Sequence, residues 1–115
     1  MPAYRFAQMV MFADWRGLAR PICMQNLYNL VQREEEREMN PLCVDQGVGL
    51  IPWSPLARGL LARPPEARHA TLRAETDDFA KQLYRRPADD RVIAVNAEIA
   101  GRLGLKPAQT ALAWL

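Results

Sequence analysis

Two short stretches hold the residues whose types and spacing could do chemistry. In Gly49-Leu50-Ile51-Pro52-Trp53-Ser54-Pro55-Leu56-Ala57-Arg58-Gly59-Leu60-Leu61, an apolar run ends in an indole and then breaks into a turn of Ser, Pro and Gly. Pro21 to Gln25 is a second apolar run, Ile22-Cys23-Met24, and it ends in the amides of Gln25 and Asn26. A buried parallel strand reads this way when its C-terminal end opens into a ligand-holding loop. If the two strands are neighbours, Gln25 and Trp53 meet at one sheet rim. An amide there both donates and accepts hydrogen bonds, and an indole stacks on a planar ring. Ser54 to Gly59 offers backbone N–H groups and the Arg58 guanidinium to a phosphate. An amide, a stacking ring and a phosphate loop together suit a nicotinamide nucleotide. On residue types alone, a Trp53 that caps the core and a Ser54-Pro55 that merely turns the chain explain the same residues equally well.

Other reactive side chains are sparse. Cys23 and Cys43 sit in apolar contexts without CxxC spacing, as buried reduced thiols do. The lone His69 lies in a polar segment and makes neither a metal site nor a triad. Glu34, Glu35, Glu36 and Glu38 have no His or Asp at ligand spacing and read as a solvated helix face. Fifteen basic and 13 acidic residues leave a net charge of +2, a balance that argues neither for nor against nucleic acid. No apolar stretch reaches membrane-spanning length, and Met1-Pro2-Ala3-Tyr4-Arg5 has no signal-peptide pattern. The expectation is a cytoplasmic chain without metal, membrane or nucleic-acid partner.

The elements that must position these residues follow from periodicity. Pro2 suits the first turn of a helix. Phe6, Met9, Val10 and Ala13 recur at helical spacing, and Gly17 marks the end. After the first strand, Arg33 to Cys43 reads as a helix with its acids early, where the macrodipole favours them, and Pro41 predicts a kink or restart. Gly47 ends it and Val48 to Trp53 forms the second strand. Helix, strand, helix, strand with short turns is the order of parallel α/β architecture. Residues 60–88 then break the rhythm with a long excursion interrupted by a short helix near Asp77 to Tyr84. An amphipathic helix follows from Asp89 or Asp90, with Val92, Val95, Ile99 and Leu103 on one face and Gly104 at its end. Pro107 opens a last helix whose apolar side is Ala108, Ala111, Leu112 and Leu115, and its uncapped end reads as cut.

Three blocks resemble the aldo/keto reductase family. Met24-Gln25-Asn26-Leu27-Tyr28-Asn29-Leu30 followed by Arg33-Glu34-Glu35-Glu36 resembles the stretch around that family's sixth strand. Ile51 to Leu61 looks like its seventh strand and loop, and Ala108-Gln109-Thr110-Ala111-Leu112-Ala113-Trp114-Leu115 is similar to the helix before the eighth. Arg73 to Phe79 looks like a variable cofactor-side loop. The resemblance implies an α/β fold, a partial (β/α)8 TIM barrel made of about strands six and seven with flanking helices. Residues 1–115 would be one partial domain lacking the first half of the barrel and the eighth strand. It further implies NADPH as cofactor, with hydride moving between the nicotinamide and a carbonyl or alcohol carbon. Gln25 would bond the nicotinamide carboxamide and Trp53 would stack on the nicotinamide face. Ser54, Leu56 and Arg58 would follow the pyrophosphate and ribose, and Arg63 or Arg73 would meet the 2′-phosphate.

The family's catalytic Tyr, Asp, Lys and His come from the first half of the barrel, so no catalytic residue is assigned, and Tyr28 and Tyr84 lie outside the acid's motif. The small-molecule carbonyl substrate belongs to the complete protein. Alone, the chain is expected to be inactive and prone to self-association through exposed sheet edges. Two other classes compete. One is a non-catalytic nucleotide-binding or regulatory remnant. The other is a helix-turn-helix DNA-binding protein built from Ala97 to Leu115, whose would-be reading helix carries only Gln109 and Thr110 as polar residues.

Overall fold

The computed structural model describes residues 1–67, 77–84 and 86–115. His69 and Arg73 lie outside the described residues. The chain divides into two compact units. The first comprises Met1–Leu27 with Glu34–Trp53, and the second Tyr28–Arg33 with Ser54–Leu115.

The first unit is two helices and two strands. Helix α1 (Ala3–Arg16) starts directly after Pro2 and buries Ala3, Phe6, Val10 and Ala13. Met9, expected on that stripe, is exposed instead. Gly17 closes the helix at φ 62°, a left-handed geometry that only glycine enters without strain, and its N–H reaches the carbonyls of Ala13 and Asp14. Strand β1 (Cys23–Met24) pairs in parallel with β2 (Gly49–Leu50). The parallel pairing agrees with the sequence, but both strands are far shorter than their apolar runs. The expectation of a buried strand and of buried thiols fails at β1, where Ile22 is 84% exposed and Cys23 is also exposed. The helices give the core Phe6, Val10, Met39 and Cys43, against which Met24 and Leu50 pack. Ile22, Cys23 and Ile51 are left in solvent.

The acidic run forms a single 3-10 turn, Glu34–Glu36, and helix α2 (Met39–Asp45) restarts after it. Pro41 is the third residue of α2, where the absent N–H removes no intrahelical bond. The expected restart is therefore observed.

Among its described residues, the second unit holds the turn after β2, a 3-10 turn at Pro65–Ala67, and three helices: α3 (Asp78–Leu83), α4 (Pro87–Leu103) and α5 (Pro107–Trp114). Val31, Ala57, Leu61, Ile93 and Ala111 form its core. The face that α4 buries differs from the expected one. Asp89, Ile93, Asn96 and Ala100 point inward, whereas Val95, Ile99 and Leu103 are exposed. A polar clamp makes this possible. Asn96 Nδ2 donates to the carbonyl of Pro107 at 3.0 Å and of Leu61 at 3.4 Å, and its Oδ1 accepts from the Thr110 hydroxyl at 2.8 Å. Bonded in this way, a buried amide holds α4, α5 and the loop together, its hydrogen bonds offsetting the cost of desolvation. The displaced stripe of Val92, Val95 and Ile99 lines an open groove of about 470 Å3 with Leu30 and Trp114. In α5 only Ala111 is buried, and Leu112 and Leu115 are exposed.

Candidate functional site

One constant register builds the strand-end group. Cys23 faces Gly49, Met24 faces Leu50, and an isolated parallel bridge joins Leu27 to Trp53. The same offset of 26 residues holds from end to end. Ladder bonds run from Gly49 N–H to Ile22 O at 2.9 Å, from Ile51 N–H to Met24 O at 2.9 Å, and from Trp53 N–H to Asn26 O at 2.8 Å. In a parallel ladder paired residues share a face, and residues two apart return to it. Gln25 therefore lies on the face of Leu27 and Trp53, about 7 Å along the strand direction from Trp53's level. Gln25 is exposed and Trp53 half-buried, so the amide and the indole edge of this rim are both reachable.

The intervening residue faces the other way. Asn26 is buried and donates from Nδ2 to Asn40 Oδ1 of α2 at 2.8 Å. Sequence reasoning placed Gln25 and Asn26 together at the rim; alternation separates them, giving Gln25 to the open face and Asn26 to the helix layer.

In the second unit, Ser54 to Gly59 forms a tight left-handed turn. Ser54, Ala57 and Arg58 have φ of 55°, 48° and 55°, and Gly59 has 102°. Three non-glycine residues in this region store strain of about 1 kcal/mol or more each, held by their surroundings. Ala57 is fully buried, which a larger side chain there would not allow. The turn consumes its own backbone donors. Ala57 N–H bonds Ser54 O, Arg58 N–H bonds Ser54 Oγ, Gly59 and Leu61 N–H bond Leu56 O, and Leu60 N–H bonds Ala57 O. The expected cluster of free N–H groups is thus corrected for Ala57 through Leu61. The Ser54 hydroxyl, which accepts from Arg58, keeps its own proton to donate.

Arg58 is held on two sides. Its Nε lies 2.6 Å from Asp77 Oδ2, and its guanidinium stands 5.3 Å from the centre of the Phe79 ring. The Leu56 side chain is half-buried and packs against the core of this unit. Arg63 is half-buried. Asp77 and Asn29 were missed as site residues. For Asn29 the signal was there, a lone amide within Leu27-Tyr28-Asn29-Leu30-Val31; for Asp77 no spacing rule links it to Arg58, 19 residues earlier.

The residues fit a nicotinamide nucleotide in donor type. An exposed amide shares a face with an indole, and a hydroxyl and a guanidinium sit on one rigid turn. Among the described residues no group of three or more His, Cys, Asp or Glu is placed to hold a metal, and no helix is long and apolar enough to cross a membrane.

The sequence pattern of the aldo/keto reductase family matches residues 5–115. Versiconal hemiacetal acetate reductase of Aspergillus parasiticus is 46% identical over 117 residues, covering 99% of this chain and 34% of that protein. An aldo-keto reductase of Metarhizium robertsii is 44% identical over 124 residues, covering all of this chain and 31% of its own length. One of Alternaria alternata is 44% identical over 116 residues, with 100% and 31% covered. The chain thus spans about a third of the length of these curated relatives. With the family pattern running over nearly its whole length, the chain belongs to the aldo/keto reductase family.

Proposed function

We propose that this chain carries the cofactor cradle of an NADPH-dependent reductase with a (β/α)8 barrel, in which it supplies about strands six and seven with their helices. The observation that carries the reading is the shared face of Gln25 and Trp53, fixed by the ladder register. Gln25 bonds the nicotinamide carboxamide through its amide, which matches that group donor for acceptor. Trp53 stacks on the nicotinamide ring and fixes which face is offered to the substrate. Ser54 and Arg58, with the Leu56 backbone, follow the pyrophosphate and ribose, and Arg63 or Arg73 meets the 2′-phosphate. Bound NADPH supplies a hydride to a small-molecule carbonyl, and the complete protein supplies the proton donor.

On this reading the chain by itself binds cofactor, turns nothing over, and associates with itself or with the rest of a barrel through its sheet edges. The cytoplasm, where NADPH is held, is the proposed location. The test is titration of the chain with NADPH and with NADH, following tryptophan emission. Saturable quenching that favours NADPH, and that shrinks in Trp53→Phe, supports the reading. Equal or absent quenching by both nucleotides would sink it.

A further inference from the structure

We propose that Asn29 is the positioning residue of the phosphate turn. The inference rests on the preceding reading that Ser54 and Arg58 meet the cofactor's pyrophosphate. Asn29 is fully buried, and every hydrogen-bonding site of its side chain is used. Nδ2 donates to the Ser54 carbonyl at 3.0 Å and to the Tyr84 hydroxyl at 3.1 Å. Oδ1 accepts from Val31 N–H at 3.0 Å and Gln32 N–H at 2.8 Å. The backbone N–H of Asn29 closes the same loop on Gln32 O at 3.1 Å. One amide therefore fastens three separated segments: Tyr28–Arg33, the turn at Ser54, and the residue that follows α3.

The bond to Ser54 falls where the turn is most strained. Ser54 is a non-glycine residue at φ 55°, and its carbonyl also accepts from Ala57 N–H at 2.9 Å. A left-handed serine persists only where its neighbours over-determine it. Asn29 anchors the Ser54 carbonyl from one side, while the Ser54 hydroxyl holds Arg58 N–H at 3.2 Å on the other. If the Ser54 peptide rotates, the hydroxyl and the Arg58 backbone move with it. Asn29 thus sets the two phosphate-facing groups without touching a ligand. Through Tyr84 it also ties the turn to the residue that follows α3.

Asn29→Asp keeps both acceptor roles and removes both donors, so it separates the turn anchor from the local loop. Tyr84→Phe removes only the second tie. Ile93→Val, in the core of the same unit and not a party to any of these bonds, serves as a control for lost stability. In the full chain, NADPH affinity and the amide hydrogen exchange of Ala57 and Arg58 are measured for each. Asn29→Asp is expected to weaken NADPH about tenfold and to speed exchange at both amides about tenfold, beyond any change in Ile93→Val. Tyr84→Phe should move both readouts the same way by about threefold. Asn29→Asp with affinity and turn exchange no different from Ile93→Val overturns the proposal. Should Asn29→Asp fail to fold, Tyr84→Phe decides: turn exchange faster than in the control supports the role, and an equal rate refutes it. A wild-type chain that does not bind NADPH would count against the cofactor reading, and the exchange rates alone would then decide for or against Asn29.

Discussion

Arg58 and Asp77, 19 residues apart, meet at 2.6 Å, and the two ends of this pair see different amounts of water. The Arg58 side chain is 26% exposed and that of Asp77 only 7%. Removing the cation takes an ion pair from the more buried partner, whereas neutralising the acid leaves a guanidinium that still reaches solvent and the Phe79 ring. Arg58→Ala should therefore destabilise the chain by about 2 kcal/mol and Asp77→Asn by about 1 kcal/mol. Urea unfolding of the two variants checks the order, and an equal or reversed order would show that burial does not govern this pair.

The thiols should divide by accessibility. Cys23 is exposed and Cys43 fully buried. Burial raises the Cys43 thiol above its ordinary range, and the Glu35 carboxylate adds a smaller push in the same direction. The folded thiol holds its proton more tightly than the unfolded one. Its contribution to stability is thus fully present below the unfolded thiol's range and is lost as pH rises through the raised folded value. Alkylation at neutral pH should modify Cys23 alone, with Cys43 reacting only on unfolding. Equal labelling of both in the native chain would contradict the first unit's core.

A two-stranded sheet has two open edges, and here Ile22 and Ile51 add exposed apolar side chains to them. The wild-type chain should sediment as associated species, and Ile22→Lys with Ile51→Lys should shift it toward monomer. A wild-type monomer with a sharp cooperative melt would count against association through these edges.

Sequence periodicity located the elements better than it located their faces. Gly17, Gly104, Pro2 and Pro107 announce helix ends because each acts through local backbone geometry. The inward face of α4 was not legible. Its most apolar stripe, Val92, Val95 and Ile99, lost to one containing Asn96, whose partners at Leu61, Pro107 and Thr110 come from elsewhere in the chain. Strand length failed for a related reason. An apolar run says that a segment can be buried, and Ile22 and Ile51 show that burial also needs something to cover it. At the site, Gln25 and Trp53 were readable because a parallel ladder places strand ends together. The occupied N–H groups of the Ser54–Gly59 turn were not, because three positive φ angles at Ser, Ala and Arg leave no mark in residue types that ordinarily avoid them.

The shared face of Gln25 and Trp53 is the central claim, and NADPH affinity in Gln25→Ala and Trp53→Ala beside the wild type tests it most directly. Gln25 is exposed, so its loss should leave the melting temperature in place while weakening NADPH about tenfold, and loss of the indole should weaken it by a similar factor. Wild-type affinity in both variants would contradict the account, since neither side chain would then touch the nucleotide.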